Sequence, residues 1–301
     1  MKIIRDLGRS HAWSLYEALL DDGRRVFVKQ GVPGGTVSDA DGTAGADGTA
    51  GGAGFMAEAA GLRWLAEADA VAVPEVIEAT AGRLVLEWVE TAPATAAAAE
   101  RFGRELAALH AAGAPRFGAP WPGMIAELPM DNSTGDDTDS STGGDAGGDA
   151  AVDWPSFYVT RRVLPFVRLA RDRGALSARD VELLEEACAY APEVAGPPEP
   201  PSRLHGDLWS GNLLWTADRV TLVDPAAHGG HRETDLAMLA LFGAPHLGTV
   251  LGAYREEAPL DCGWRERVPL HQLHPLAVHV CLYGEAYRGS LLTAAADVLA
   301  L

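Results

Sequence analysis

Lysine is almost missing from this chain: only Lys2 and Lys29 occur among its 301 residues. With 24 basic against 42 acidic side chains the formal charge is −18. Nucleic-acid backbones and anionic membrane surfaces need clustered Lys and Arg, so neither is expected as a partner. Cysteine is scarce too. Cys188, Cys262 and Cys281 are odd in number and widely spaced, a pattern that fits free thiols better than a disulfide framework or a zinc site. No apolar run approaches the ~18 residues a membrane-spanning helix requires. The opening "MKIIRDLGRSHAW" has neither an apolar core of signal-peptide length nor a small-residue cleavage site, and a cytoplasmic location is expected.

What remains is an ordinary globular balance, 48% hydrophobic and 22% charged. The acidic excess is uneven. Asp39, Asp41 and Asp47 lie in a low-complexity tract at 33–54, and Asp136, Asp137, Asp139, Asp145 and Asp149 in a second at 133–152. Neither holds Lys or Arg, so the tracts supply eight of the eighteen charges. Their Gly, Ala, Asp, Thr and Ser cannot bury enough apolar surface to offset the entropy of ordering, and both read as flexible insertions in loops.

The flanking segments carry periodic signals. "LYEALL" and "RRVFVKQ" are strand-like runs joined by the turn "DDG". "FMAEAAGLRWLAEA" sets Phe55, Leu62 and Leu65 at near-helical spacing. "VPEVIEA" and "RLVLEWVE" then suggest two more strands, so the first part reads strand, strand, helix, strand, strand. From residue 95 helices dominate. Phe102, Leu106 and Leu109 share one face, with Gly113 as a stop. Ser177 caps a helix expected to end before Pro192. "NLLW" and "VTLV" read as a hairpin, and 234–301 as mostly helical.

Phosphoryl transfer from ATP needs a cation on the phosphates, oxygen ligands for Mg²⁺, and a carboxylate to take the proton of the attacking hydroxyl. Lys29 ends the run "RRVFVK", and an inward lysine on a strand can serve the phosphates if a carboxylate positions it; Glu58 on the following helix is the candidate. "LHGDLWSGN" places Asp207 and Asn212 at the H-x-D-x-x-x-x-N spacing of a kinase catalytic loop, with Gly206 and Gly211 allowing tight turns. A lone polar turn would be commonplace. Asp224 at the end of the next apolar run completes an ordered set of Lys29, Glu58, Asp207, Asn212 and Asp224 that is not.

Those motifs resemble the kinase-like phosphotransferases that include aminoglycoside and choline kinases, and most closely the fructosamine (ketosamine) kinase family. "HGDLWSGN", "DPAAHGGHRETDLAML", "LVLEWV" and "DN…DWPSFYVTRRVLP" carry the resemblance, which covers the chain apart from the two tracts. "HGD" and "DPA" stand where protein kinases have "HRD" and "DFG".

The resemblance implies an α+β, two-lobed protein-kinase-like fold. Residues 1–90 would form a small nucleotide-binding lobe with an antiparallel sheet, and 91–301 a larger, mainly helical lobe for catalysis and substrate. It implies ATP and Mg²⁺ as cofactors and phosphorylation of a ketosamine, at the 3-hydroxyl, in the removal of glycation products. Lys29 would bind phosphate and pair with Glu58. The backbone at Glu87 and Val89 would meet adenine, Asp207 would be the base, and Asn212 and Asp224 the metal ligands. His205 and Asp235 would order the catalytic loop, and His110 would simply pack. Trp209 is expected to touch the acceptor, with His231, Arg232 and Glu233, and with Phe157 and Tyr158, as further lining. The phosphate-covering turn departs from the glycine-rich pattern: Ser10, His11 and Ala12 form its tip, with only Gly8 nearby.

Three alternatives follow from the same residues. One is a small-molecule kinase of the aminoglycoside or choline type. A second is a metal-dependent hydrolase using His205, Asp207, Asp224, His228 and His231, which leaves Lys29 and Glu58 without a role. The third is a nucleotide-binding scaffold without catalysis, ranked low because every catalytic group is present.

Overall fold

The computed structural model describes residues 1–10, 13–31, 49–133 and 152–301. In chain order they form β1 (Lys2–Ser10), β2 (Trp13–Leu19), β3 (Arg25–Gly31), α1 (Thr49–Ala66), β4 (Val76–Thr80), β5 (Arg83–Glu87) and α2 (Ala96–Ala111). Next come β6 (Gly123–Ile125), β7 (Leu128–Met130), α3 (Trp154–Phe157), a π-helical stretch (Tyr158–Val163), α4 (Leu164–Asp172) and α5 (Ala178–Val194). The last part holds β8 (Ser202–Leu204), β9 (Leu213–Trp215), β10 (Val220–Leu222), β11 (His228–Gly230), α6 (Glu233–Phe242), α7 (Leu247–Glu257), α8 (Val268–Tyr283) and α9 (Glu285–Leu299).

The first five strands make one antiparallel sheet in the order β1-β2-β3-β5-β4. The expected "DDG" turn joins β2 to β3, with Gly23 at φ +86°. Strand β1 was not expected from the sequence. It is an edge strand with eight of its nine residues exposed, so nothing in it alternates between apolar and polar. Side chains of β3 do alternate. Val26 and Val28 pack with Ala18 and Val85 on one face. Phe27 points to the other, against Phe55, Ala59 and Leu62 of α1. Packing of Phe55 extends α1 back to Thr49, so the end of the first acidic tract is helical rather than loop.

The larger, helical lobe holds two buried clusters. One gathers Leu65, Phe102, Leu106, Leu213, Leu222, Leu236 and Tyr254, from α1, α2, β9, β10, α6 and α7. The other packs α4, α5, α8 and α9 through Val167, Leu184, Leu273 and Leu291. Gly103 is where α2 meets α7: a Cβ there would sit 2.3 Å from the Val250 carbonyl oxygen. Ser177 caps α5 in a reciprocal box with Asp180. That helix runs past Pro192 to Val194, contrary to expectation, because a proline in the last turn forfeits a single ladder bond.

The two ends of the second acidic tract are tied at their base. Asp131 accepts from Arg161 at 2.6 Å, and Asn132 Oδ1 accepts from Arg162 at 2.7 Å. Arg162 is fully buried over the Phe157 ring and held below its ordinary pKa, at about 9, by that burial. The "DN" and "RR" of the sequence are therefore partners in a fastening at the root of the tract.

Candidate active site

Strand periodicity puts Lys29 on the same face of β3 as Phe27, toward α1, where Glu58 lies one turn after Phe55. The Lys29 ammonium donates to both Glu58 carboxylate oxygens, at 3.0 and 2.9 Å, and also contacts Asp224 Oδ1. Its side chain is only 8% exposed. The single interior lysine thus bridges the sheet, α1 and the helical lobe.

The catalytic-loop motif spans the gap between two small ladders, β8–β11 and β9–β10. Gly206, at φ +80°, leaves no room for a side chain, since a Cβ would meet the Ala226 carbonyl oxygen at 2.2 Å. Asp235, in the first turn of α6, accepts the main-chain N–H of His205 at 2.8 Å and of Gly206 at 2.9 Å. His205 Nε2–H donates to the Val223 carbonyl at 2.9 Å, which leaves Nδ1 to accept the Asp207 N–H at 3.2 Å. Burial holds its pKa below the usual range, so the ring is neutral and orders the loop. His110 does more than pack: its ring lies 3.2 Å from Asp235 Oδ2 and 2.8 Å from the Tyr254 hydroxyl.

Asp207 sits at the floor of the cleft. Burial pushes its carboxyl up to about 7, against the opposing effect of the Asn212 amide that donates to Oδ2 at 2.9 Å. Asn212 Nδ2 also donates to the Asp207 carbonyl at 2.9 Å. With its N–H₂ turned to Asp207, no donor among the described residues occupies Asn212 Oδ1. Asp224 adopts φ +54°, a left-handed conformation that Asp tolerates better than most residues, and its carboxylate is 45% exposed. An open amide oxygen beside a half-exposed carboxylate, shared with Lys29, is a hard-oxygen donor set of the kind Mg²⁺ takes.

Ser10, Trp13, Lys29, Glu58, Asp207, Trp209, Asn212 and Asp224 line one cleft, closed on a further side by the β6–β7 hairpin through Met124, Ile125 and Ala126. The hairpin went unread in the sequence because its strands are three residues each. His11 lies outside the described residues. Glu87 ends β5, and the Val89 N–H two residues on has no main-chain partner among the described residues. Trp209 leans edge-on against Phe242 and fits there because residue 211 is glycine: a Cβ would come within 2.3 Å of the indole.

The structure keeps His231, Arg232 and Glu233 out of this cleft, and that expectation is corrected. His231 and Glu233 are buried behind Trp154, and Arg232 pairs with Glu199 at 2.6 Å. Arg267 grips Glu233 with two bonds, at 2.9 and 2.6 Å. Burial would raise the Glu233 pKa, but bonds from His271 and Arg267 outweigh it and lower it to about 2; burial lowers His231 to about 3. His231, Glu233 and His271 could in principle ligate a metal. Two arginines already balance Glu199 and Glu233, however, so a divalent cation there would be uncompensated. Phe157 and Tyr158 are likewise core residues, the Tyr158 hydroxyl donating toward the Leu270 and His271 carbonyls at 2.9 Å. His228 bonds the Ala226 carbonyl and Arg162, so it and His231 do not converge on Asp207 and Asp224 as a hydrolase would need.

Comparison with known proteins identifies the family and the fold. The family model for fructosamine kinase matches residues 47–300. A probable ketoamine kinase of Thermus thermophilus is 33% identical over 238 residues, 79% of each chain. The chloroplastic protein-ribulosamine 3-kinase of Arabidopsis thaliana is 29% identical over 256 residues, 81% of this chain and 72% of that protein. A Thermobifida fusca crystal structure described as a "putative fructosamine-3-kinase" superposes with a TM-score of 0.84 at 48% identity, covering 99% of this chain and 93% of that one. The ADP-bound aminoglycoside phosphotransferase APH(2″)-Ib shares the fold at a TM-score of 0.59 and 14% identity, over 99% and 95% of the two chains.

Proposed function

The chain belongs to the fructosamine kinase family and is a kinase-type phosphotransferase, and from that premise we propose that it transfers a phosphoryl group from ATP to the 3-hydroxyl of a ketosamine. Phosphorylation there makes the sugar–amine adduct labile, so the role is removal of glycation products. The observation that carries the reading is one cleft holding a carboxyl that titrates near 7, an oxygen donor pair and a glutamate-held lysine.

Asp207 accepts the proton of the attacking hydroxyl; a pKa near the working pH suits a base that must both take and release it. Lys29, steadied by Glu58, meets the phosphates. Asn212 and Asp224 would hold Mg²⁺, which when bound neutralises charge on the transferring group. His205 and Asp235 fix the loop, so the base does not drift from the acceptor. Ser10, which lines the cleft, would offer the phosphates a main-chain donor, and Glu87 and Val89 would meet adenine. In this reading residues 1–90 bind nucleotide and 91–301 carry catalysis and acceptor. Trp209, 39% exposed at the cleft, supplies an apolar face for the sugar. The three cysteines are unpaired, which suits a reducing cytoplasm.

ATP consumption against a panel of ketosamines, aminoglycosides and choline tests the proposal. Turnover with a ketosamine is expected. Activity confined to aminoglycosides or choline would replace the acceptor while leaving the phosphotransferase standing.

A further inference from the structure

Five rings run outward from the catalytic loop. Trp209 meets Phe242 at 6.1 Å between centroids, and Phe242 meets His279 at 4.7 Å. His279 then lies 5.6 Å from Tyr283 and 4.8 Å from Tyr287, which are 5.8 Å from each other. His279, Tyr283 and Tyr287 recur every four residues across the α8–α9 junction, turned at Gly284 with φ +64°. A stripe at such spacing usually belongs to a core. This one does not close over: Tyr283 is 52% exposed at its outer end and Trp209 39% at its inner end.

We propose that this aromatic strip is the subsite for the amine-bearing part of the acceptor beyond its sugar, and that it selects a lysine side chain within a peptide over a small free amine. The inference rests on the ketosamine reading above. The nitrogen of a ketosamine is a secondary amine, cationic at neutral pH, and tyrosine and tryptophan faces attract cations while their bodies pack methylenes. The strip itself adds no opposing charge. His279 Nδ1–H donates to the Pro275 carbonyl at 2.7 Å, and burial keeps the ring below its usual pKa. Arg288, next to Tyr287, is held by Asp180 at 2.7 and 2.9 Å. Three ring-to-ring steps, through Phe242 and His279, separate Trp209 from Tyr283, more than a sugar ring spans, so an acceptor that ends at its nitrogen leaves the outer rings unused.

Tyr283→Ala tests this, since an exposed side chain can be trimmed without harm to folding. With ketosamine on a lysine within a short peptide, KM is expected to rise about three- to tenfold. With ketosamine on methylamine, and for ATP, it should stay within about twofold. Equal effects on both acceptors, or none, would overturn the strip. A second probe is independent of turnover: a peptide bearing ε-N-methyl-lysine and no sugar, titrated by calorimetry. It should bind the wild type and lose affinity in Tyr283→Ala and Tyr287→Leu; unchanged affinity would equally overturn the proposal. Peptide binding without phosphorylation of any ketosamine would refute the reaction and leave the subsite intact.

Discussion

Asp207→Asn should make the protein more stable and nearly inactive. The wild-type carboxyl titrates at about 7 in the folded chain, against ~3.9 in an unfolded one, a gap equivalent to about 4 kcal/mol. The cleft side of Asp207 stays open to water, so about 1–3 kcal/mol is the realistic part. The sign follows from which state holds the proton. Between pH ~4 and ~7 the native chain keeps a proton that the unfolded chain has lost, so wild-type stability falls as pH rises through that window. The neutral amide escapes this and can still accept from Asn212 Nδ2 through its own oxygen. At pH 8 the melting temperature should rise by about 2–6 °C, and the gain should vanish as the pH approaches 4. Turnover should fall by about 10²- to 10⁴-fold, with nucleotide binding retained. Scanning fluorimetry across pH, beside a coupled ATP assay, reads both. An unchanged or lower melting temperature at pH 8 would refute the burial argument, and unchanged turnover would refute the base.

Other outcomes follow from the same geometry. Wild-type kcat should decline below about pH 7 as Asp207 takes up its proton, a limb that a pH–rate profile displays. Gly211→Ala should displace the Trp209 indole, and like Trp209→Ala it should raise the acceptor KM far more than the ATP KM; equal effects would detach Trp209 from the acceptor. Lys29→Met leaves Glu58 and Asp224 facing each other without their cation, and denaturant unfolding should show a loss of about 1–3 kcal/mol alongside a raised ATP KM. Gly103→Ala, remote from the cleft, should cost about 3 kcal/mol by forcing α2 from the Val250 backbone, with little change in KM for protein that remains folded.

Much of this was legible because the signals were local. The alternation of β3 announced which way Lys29 faced, and the spacing of Asp207 and Asn212 announced the loop. Strand β1 escaped because an exposed edge carries no alternation, and β6–β7 because three-residue strands carry no period. His231, Arg232 and Glu233 were misplaced for a different reason: polar residues beside a motif read as lining, whereas the Glu233 carboxylate finds Arg267 at the start of α8 and the Arg232 guanidinium finds Glu199, both distant in sequence. The strip escaped for the same reason, since Trp209, Phe242 and Tyr283 adjoin only after α6 and α8 pack.

Asp235 holds the loop by its main chain, taking the N–H groups of His205 and Gly206 rather than any side chain. The anchor is therefore indifferent to what the loop carries further along. On the proposed reading, Trp209 can be exchanged, and with it the taste for one acceptor over another, without unseating Asp207. A fold arranged this way separates the inheritance of a reaction from the choice of what undergoes it. That separation offers one physical route by which kinases of sugars, antibiotics and glycated amines can share a single chassis.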